Sequence, residues 1–388
     1  MSTSTICLRG GRVFDGTGFT ASSVVIEDDR ISHIVEPDVP IQADEVIDAQ
    51  GFVVAPGLID LHFHGCCGHD FCDGTPEALS AIARSEASWG ITSICPATMT
   101  FPEDRLLTVM KTAARWKAAD DEAALVGINM EGPFISPGKI GAQNPHFVQQ
   151  PNIAMMHRLM DASEGLVKLV DIAPEEAGAI EFIEQLHRDV RISIAHTCAT
   201  YEQARSAFEA GARQVTHLYN AMPPLHHRAP GPIPAAVEAD GVSAEIITDG
   251  IHVSAAMVRL AFQLFTGARM ILISDSMMAC GMGDGTFELG GQAVSVTDRR
   301  ATLVDGTLAG SASNLADCLA WAITEADIPA EVALRSATAN PAQALGIADE
   351  VGSIGAGKKA DLVLLDSSWK VAGVILRGRV IKPLQLPA

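Results

Sequence analysis

Imidazoles and carboxylates recur in this chain at the ends of short apolar runs. His62 and His64 close Ala55-Pro56-Gly57-Leu58-Ile59-Asp60-Leu61-His62-Phe63-His64-Gly65. In an extended chain alternate side chains share a face, so both rings are offered to one ion while Leu61 and Phe63 turn away. Two hydrogen-bonded core histidines would show the same spacing, so the argument rests on what other runs end in. Glu131 is followed by Gly132-Pro133, His196 follows Ile192-Ser193-Ile194-Ala195, and His217 stands in His217-Leu218-Tyr219-Asn220. Asp249-Gly250-Ile251-His252 and Ser274-Asp275-Ser276 end two more runs. Nitrogen and carboxylate oxygen donors without thiolate suit Zn²⁺, Fe²⁺ or a similar divalent ion in a catalytic rather than a structural site. Glu131, His196 and His217 form a three-ligand set with an open position. His62 and His64 can hold a second ion beside it, with Asp275 near both, so one or two ions per subunit are expected. A held ion lowers the pKa of a water toward ~7, and Asp275 is placed to take a proton and return it. The chemistry is metal-assisted hydrolysis.

Strands must carry these residues to one place. Eight runs of strand length are predicted at Phe52–His64, Ile91–Thr100, Leu125–Gly132, Leu166–Pro174, Arg191–Thr197, Gln214–Asn220, Ala244–Gly250 and Arg269–Met277. Stretches with helical spacing, such as Pro76–Trp89, Glu103–Ala119, Glu175–Asp189 and Thr200–Ala210, lie between them. Eight strand-then-helix units over roughly 250 residues fit an α/β chain folded as a (β/α)₈ TIM-type barrel, whose active site lies at the C-terminal strand ends. An open doubly wound sheet is the runner-up, but no glycine-rich phosphate loop follows the first strand. Short strands at Ile6–Phe14, Ser23–Glu27 and Arg30–Val35 resemble those at Asp361–Asp366 and Val371–Leu376. Neither end is large enough to stand alone, so the termini are expected to build one small β-sandwich domain together. The predicted ranges are 1–54 and 351–388 for that domain and 55–350 for the barrel.

Composition limits the partners. The formal net charge of −20 argues against nucleic acid and anionic membrane, so an anionic substrate would need a local basic exception. No apolar run is long enough to span a bilayer, and Met1-Ser2-Thr3-Ser4-Thr5-Ile6 lacks the pattern of a secretory signal. Eight irregularly spaced cysteines in a chain of 388 residues read as thiols of a cytoplasmic protein. Cys66, Cys67, His69 and Cys72 lack a second paired half and are expected to pack in a loop rather than bind zinc.

Several segments carry a resemblance. Pro56-Gly57-Leu58-Ile59-Asp60-Leu61-His62-Phe63-His64 and Gly357-Lys358-Lys359-Ala360-Asp361-Leu362-Val363 resemble the opening and closing patterns of the amidohydrolase superfamily. Met130-Glu131-Gly132-Pro133-Phe134, His217-Leu218-Tyr219-Asn220-Ala221-Met222, Asp249-Gly250-Ile251-His252, Ser274-Asp275 and Gly306-Thr307-Leu308-Ala309-Gly310-Ser311 are similar to its N-acetylglucosamine-6-phosphate deacetylases. The resemblance implies that Glu131, His196 and His217 hold the main metal and that Asp275 is general base and then acid. It implies that Asn220, Ala221, Arg228 and His252 contact the sugar phosphate, that the Leu308-Ala309-Gly310 turn lies beside the acetyl group, and that Ala142 and Gln143 face the substrate. It also implies a homodimer. Some family members carry a histidine where this chain has Gln143, whose amide is a weaker hydrogen-bond donor to the substrate carbonyl. Rival readings are a related hydrolase acting on N-acetylgalactosamine 6-phosphate or on a cyclic amide, and a non-catalytic scaffold. Arg228, in Leu225-His226-His227-Arg228-Ala229-Pro230-Gly231, could equally be an ordinary exposed arginine, and His252 could simply sit at a helix start.

Overall fold

The computed structural model describes residues 4–385. Met1–Thr3 and Leu386–Ala388, at the extremes of the predicted small domain, lie outside the described residues. The two chain ends meet in one sheet. Its path runs Arg379–Lys382, Val371–Leu376, Leu362–Leu365, Val53–Pro56, Thr5–Phe14, Phe19–Glu27 and Arg30–Val35, with Glu45–Asp48 pairing the Thr5–Phe14 strand. Ile6, Leu8, Val24, Ile26, Leu362, Leu364 and Ile375 bury one face of it in a core of its own.

Nine further strands run parallel in two groups. Leu58–Asp60, Ile91–Ile94 and Ala124–Leu125 form one run; Ile128–Met130, Val167–Ile172, Arg191–Ile194, Gln214–Val215, Ser243–Ile247 and Met270–Ile273 form another, each paired to the next in chain order. A parallel bridge between Ala97 and Asn129 joins the runs. At the far side Asp275 N donates to His62 O at 3.0 Å, so the last strand's end lies against the first's. Period-two alternation decides what faces where. Val170, Ile172, Ile192, Ile194, Ala244, Ile246, Met270 and Leu272 pack into the large core shared with the helices. Leu169, Ile247, Ile271 and Ile273, on the opposite face, join a second cluster with Ile59 and Leu61.

Helices start where side chains can satisfy their free N–H groups. Thr75 Oγ1 accepts from Ala78 N at 3.2 Å, Pro76 fills the first turn, and the Pro76–Ser88 helix buries Leu79, Ile82 and Ala83. Thr200 and Gln203 form a reciprocal capping box for Tyr201–Ala210, which ends at Gly211.

The predicted Leu125–Gly132 strand is divided into Ala124–Leu125, paired with Ile91–Ile94, and Ile128–Met130, paired with Val167–Ile172. The predicted strand Phe52–His64 is likewise divided: Val53–Pro56 pairs with Leu362–Leu365, whereas Leu58–Asp60 pairs with Ile91–Ile94. The break falls at Gly57, where a Cβ would stand 2.0 Å from Thr92 Oγ1. His62 and His64 therefore follow the strand rather than lie in it. The antiparallel trio Gly285–Leu289, Gln292–Thr297 and Arg300–Thr302 was not foreseen; it folds over the strand ends, and Gln292 Nε2 donates to Ala142 O at 2.6 Å.

Candidate active site

The strand ends converge on a cavity of about 230 Å³. At its floor Glu131 is the common member of two groups whose donor atoms lie within 4.8 Å of one another: His62, His64 and Glu131, and Glu131, His196 and His217. Glu131 Oε1 lies 3.1 Å from both His196 Nε2 and His217 Nε2 and 3.4 Å from His62 Nε2, while Oε2 lies 3.2 Å from His64 Nε2. Asp275 Oδ1 is 3.4 Å from His64 Nε2 and 3.9 Å from His62 Nε2.

Neighbouring groups fix these rings. His196 Nδ1 donates to Lys139 O at 2.9 Å, and Ser136 N donates to His196 O at 2.9 Å, so the loop after Glu131 frames the ring. With its proton on Nδ1, His196 turns a bare Nε2 toward His217 Nε2, 3.1 Å away. His196, His217 and Asp275 have positive φ of 41°, 30° and 49°, a sparsely populated conformation for residues with a Cβ that concentrates at functional sites. Gly310 at φ 64° is required beside them, because a Cβ there would meet Asp275 O at 3.1 Å and Met277 Cβ at 3.3 Å.

The field of the cluster favours positive charge. Burial opposes ionisation of His64, but the Asp275 and Glu131 carboxylates raise its pKa to about 10. Burial likewise opposes charge on His62, and Glu245 and Glu131 lift it well above the usual range. Glu131 is held well below the carboxylate range: burial works against its charge, but His62, His196 and His217 outweigh that. Asp275 is lowered too, with burial opposing and a hydrogen bond from His64 prevailing. His62 Nε2, His64 Nδ1 and His217 Nδ1 are buried without hydrogen-bond partners. Unpartnered ring nitrogens, two others facing each other across 3.1 Å elsewhere in the cluster, and a shared carboxylate together fit a divalent cation.

Of the residues singled out in the sequence, His64, Glu131, Ala142, Gln143, His196, His217, Asn220, Ala221, His252, Asp275, Leu308 and Gly310 line the cavity. His62 is completely buried behind them. Ala309 is buried and spent on a backbone bond from its N to Ala301 O, outside the lining. Arg228 is exposed on its loop and does not line the cavity. His252 is paired, its Nδ1 2.8 Å from Asp249 Oδ2, so more than a helix-start position holds it. Gln143 is engaged on both sides: Thr100 N donates to its Oε1 at 2.7 Å and its Nε2 donates to Glu131 Oε2 at 2.6 Å. Only one amide hydrogen remains for a substrate carbonyl. Met99 and Leu289 also line the cavity and carried no sequence signal, whereas Thr307 lines it from the 306–311 segment. Among the described residues, Cys66, Cys67, His69 and Cys72 form no ligand group, and all eight cysteines are free thiols.

The amidohydrolase family model matches residues 53–381, the whole of the parallel-strand region and most of the C-terminal part of the sheet. The chain belongs to the amidohydrolase family. That family is metal-dependent, which agrees with the two ligand groups. Among curated relatives, an N-acetylglucosamine-6-phosphate deacetylase of Bacillus subtilis is 38% identical over 341 residues, covering 84% of each chain. An N-acetylgalactosamine-6-phosphate deacetylase of Escherichia coli O157:H7 is 32% identical over 375 residues, covering 96% of this chain and 98% of that one. Among solved structures, an alanine mutant of the Mycobacterium smegmatis N-acetyl-D-glucosamine-6-phosphate deacetylase, in complex with N-acetyl-D-glucosamine-6-phosphate, superposes with a TM-score of 0.91 at 33% identity. It covers 99% of this chain and 100% of that one. The fold of this amidohydrolase is therefore mixed α/β, of the TIM-barrel type. Among the described residues no helix is long and apolar enough to cross a membrane.

Proposed function

We propose that this amidohydrolase removes acetate from N-acetylglucosamine 6-phosphate, leaving glucosamine 6-phosphate. One observation carries the reading: two ligand groups share Glu131 at the floor of the cavity, in a chain similar over most of its length to deacetylases of that substrate. Glu131, His196 and His217 would hold the main ion, zinc or iron, and His62 and His64 a second. When bound, the ion supplies Lewis acidity, making water ionisable near neutral pH and drawing electron density from the acetamide oxygen. Water adds to the carbonyl carbon, and the C–N bond breaks. Asp275, kept ionised by its imidazole neighbours, accepts the proton from water and delivers it to the departing nitrogen. Asn220, Ala221, Ala142, Gln143, Leu308 and Gly310 would bound the sugar and its acetyl group.

The phosphate needs a cation, and among the described residues no Lys or Arg lines the cavity. His252 brings charge, but Asp249 neutralises it. Arg228, whose planar fork matches phosphate oxygens, would fill this role from its own subunit or from the second copy of a homodimer. The parallel runs are proposed to close into a (β/α)₈ barrel over 55–350, and the terminal sheet to form a small β-sandwich domain from 1–54 and 351–388. A thiol-rich chain of this charge suits the cytoplasm. One relative is named for the galacto epimer, so the test is acetate release from both epimeric sugar phosphates, before and after chelation, with elemental analysis of the same sample. Metal-dependent release favouring the gluco epimer is expected; release unaffected by chelation, or only from the galacto epimer, would sink the proposal.

A further inference from the structure

Glu245 is a fully buried carboxylate inside the Ser243–Ile247 strand, and nothing derived so far gives it work. It belongs to a hydrogen-bonded column through the interior. Arg191 Nε donates to Gln214 Oε1 at 2.7 Å, Gln214 Nε2 donates to Glu245 Oε1, and Glu245 Oε2 lies 2.9 Å from His62 Nδ1. His217 N also donates to Glu245 Oε2, at 3.3 Å.

The direction of every bond in this column is set by its first member. A guanidinium only donates, so Gln214 must turn its carbonyl oxygen to Arg191 and its NH₂ to Glu245. Glu245 Oε1 therefore accepts. Oε2 already accepts from His217 N, which leaves it an acceptor for His62 as well. A neutral His62, the form that can ligate a cation, must then carry its proton on Nδ1 and leave Nε2 a bare lone pair. That Nε2 is the buried atom without a hydrogen-bond partner, 3.4 Å from Glu131 Oε1.

We infer that Glu245 is a positioning residue which, fed by Gln214 and Arg191, fixes the tautomer of His62 and so creates the second ion position at His62, His64 and Glu131. The inference rests on the metal-binding part of the proposed function and on nothing about the substrate. A carboxylate behind a histidine ligand typically governs roughly 10- to 100-fold in metal affinity. In Glu245→Gln, Gln214 still donates to the remaining carbonyl oxygen, so the new NH₂ faces His62 Nδ1, and His217 N gives up its weak acceptor. His62 Nδ1 becomes the acceptor, and the proton moves to Nε2.

The test counts zinc by elemental analysis after dialysis against buffered zinc, in the wild type and in Glu245→Gln. Two ions in the wild type and one in the variant are expected, with the second restored by roughly 10- to 100-fold more free zinc and acetate release recovering alongside it. A purely structural role would not be reversed by metal. The second measurement needs no Glu245 variant: nitrogen-15 NMR of the histidine-labelled, zinc-loaded wild type, in which His62 is neutral, with His62 assigned by its absence in His62→Gln. A His62 proton on Nδ1 is expected and decides the matter should Glu245→Gln fail to fold. One ion in the wild type, two or none in a folded Glu245→Gln, or a His62 proton on Nε2 would overturn the inference. If the ions count as expected but acetate is not released, the substrate reading fails and this one stands.

Discussion

Replacing Asp275 by Asn isolates proton transfer from everything else that residue does. Its backbone is committed: N donates to His62 O at 3.0 Å, and O accepts from Ser311 N at 2.7 Å. Its φ of 49° is a conformation that Asn tolerates better than other residues with a Cβ, so Asn keeps fold and volume where Ala would add strain. The ion ligands remain, since Asp275 Oδ1 stands outside both groups that share Glu131. What disappears is a base near the attacking water and an acid for the leaving nitrogen. Such a group is worth about 10²–10⁴ in rate, or about 3–5 kcal/mol at 1.36 kcal/mol per decade. Acetate release should show kcat lower by about that factor, with KM and the zinc content close to wild type. A kcat within tenfold of wild type would remove Asp275 from the chemistry. A lost ion would show that it is a ligand, and the reasoning would fail there instead.

Glu131→Gln should empty both ligand groups at once, because the carboxylate is their shared member; elemental analysis finding one ion retained would show that the groups are independent. Gln143→Leu should lower stability by about 1–3 kcal/mol in urea unfolding, since it leaves Thr100 N and Glu131 Oε2 without their buried partner; an unchanged midpoint would mean that water replaces the amide. For the Asp249–His252 pair, burial opposes both charges, yet each partner prevails, holding Asp249 at about 2 and His252 above its ordinary value. The depressed acid contributes above its unfolded value of ~3.9, and the raised base contributes fully below ~6.5 and loses that contribution as pH rises through its folded value. Asp249→Asn should therefore destabilise more at pH 5.5 than at pH 9 in urea unfolding, and equal losses would contradict the pairing. Arg228→Ala should raise KM for the phosphorylated sugar and leave an unphosphorylated analogue nearly unaffected; equal changes on both would make the residue structural.

Much of the site was legible because its residues are chemically conspicuous where they stand. Imidazoles and acids ending apolar runs are costly unless paired or used, and His62, His64, Glu131, His196, His217 and Asp275 all come together. The division at Gly57 was hidden because both halves of that run are apolar and buried, and only the approach of Thr92 from another strand enforces the break. Gln143 was read as free to meet a substrate; its two partners lie 43 and 12 residues away in the chain. Glu245 left a fainter trace, an acid on the interior face of an otherwise apolar strand. Its meaning depends on Gln214 and Arg191, which only the pairing of neighbouring strands brings beside it. The Gly285–Thr302 trio alternates Phe287 and Leu289 with Thr286 and Glu288, and Val294 and Val296 with Ser295 and Thr297, which marks strands but gives no reason to raise them over the strand ends.

That trio means the vestibule and the reactive floor are separate inheritances. Leu289 comes from a hairpin that can lengthen, shorten or change its tip while the ligands, carried by strands elsewhere, stay where they are. A lineage could thus trade one sugar for another by redrawing the doorway.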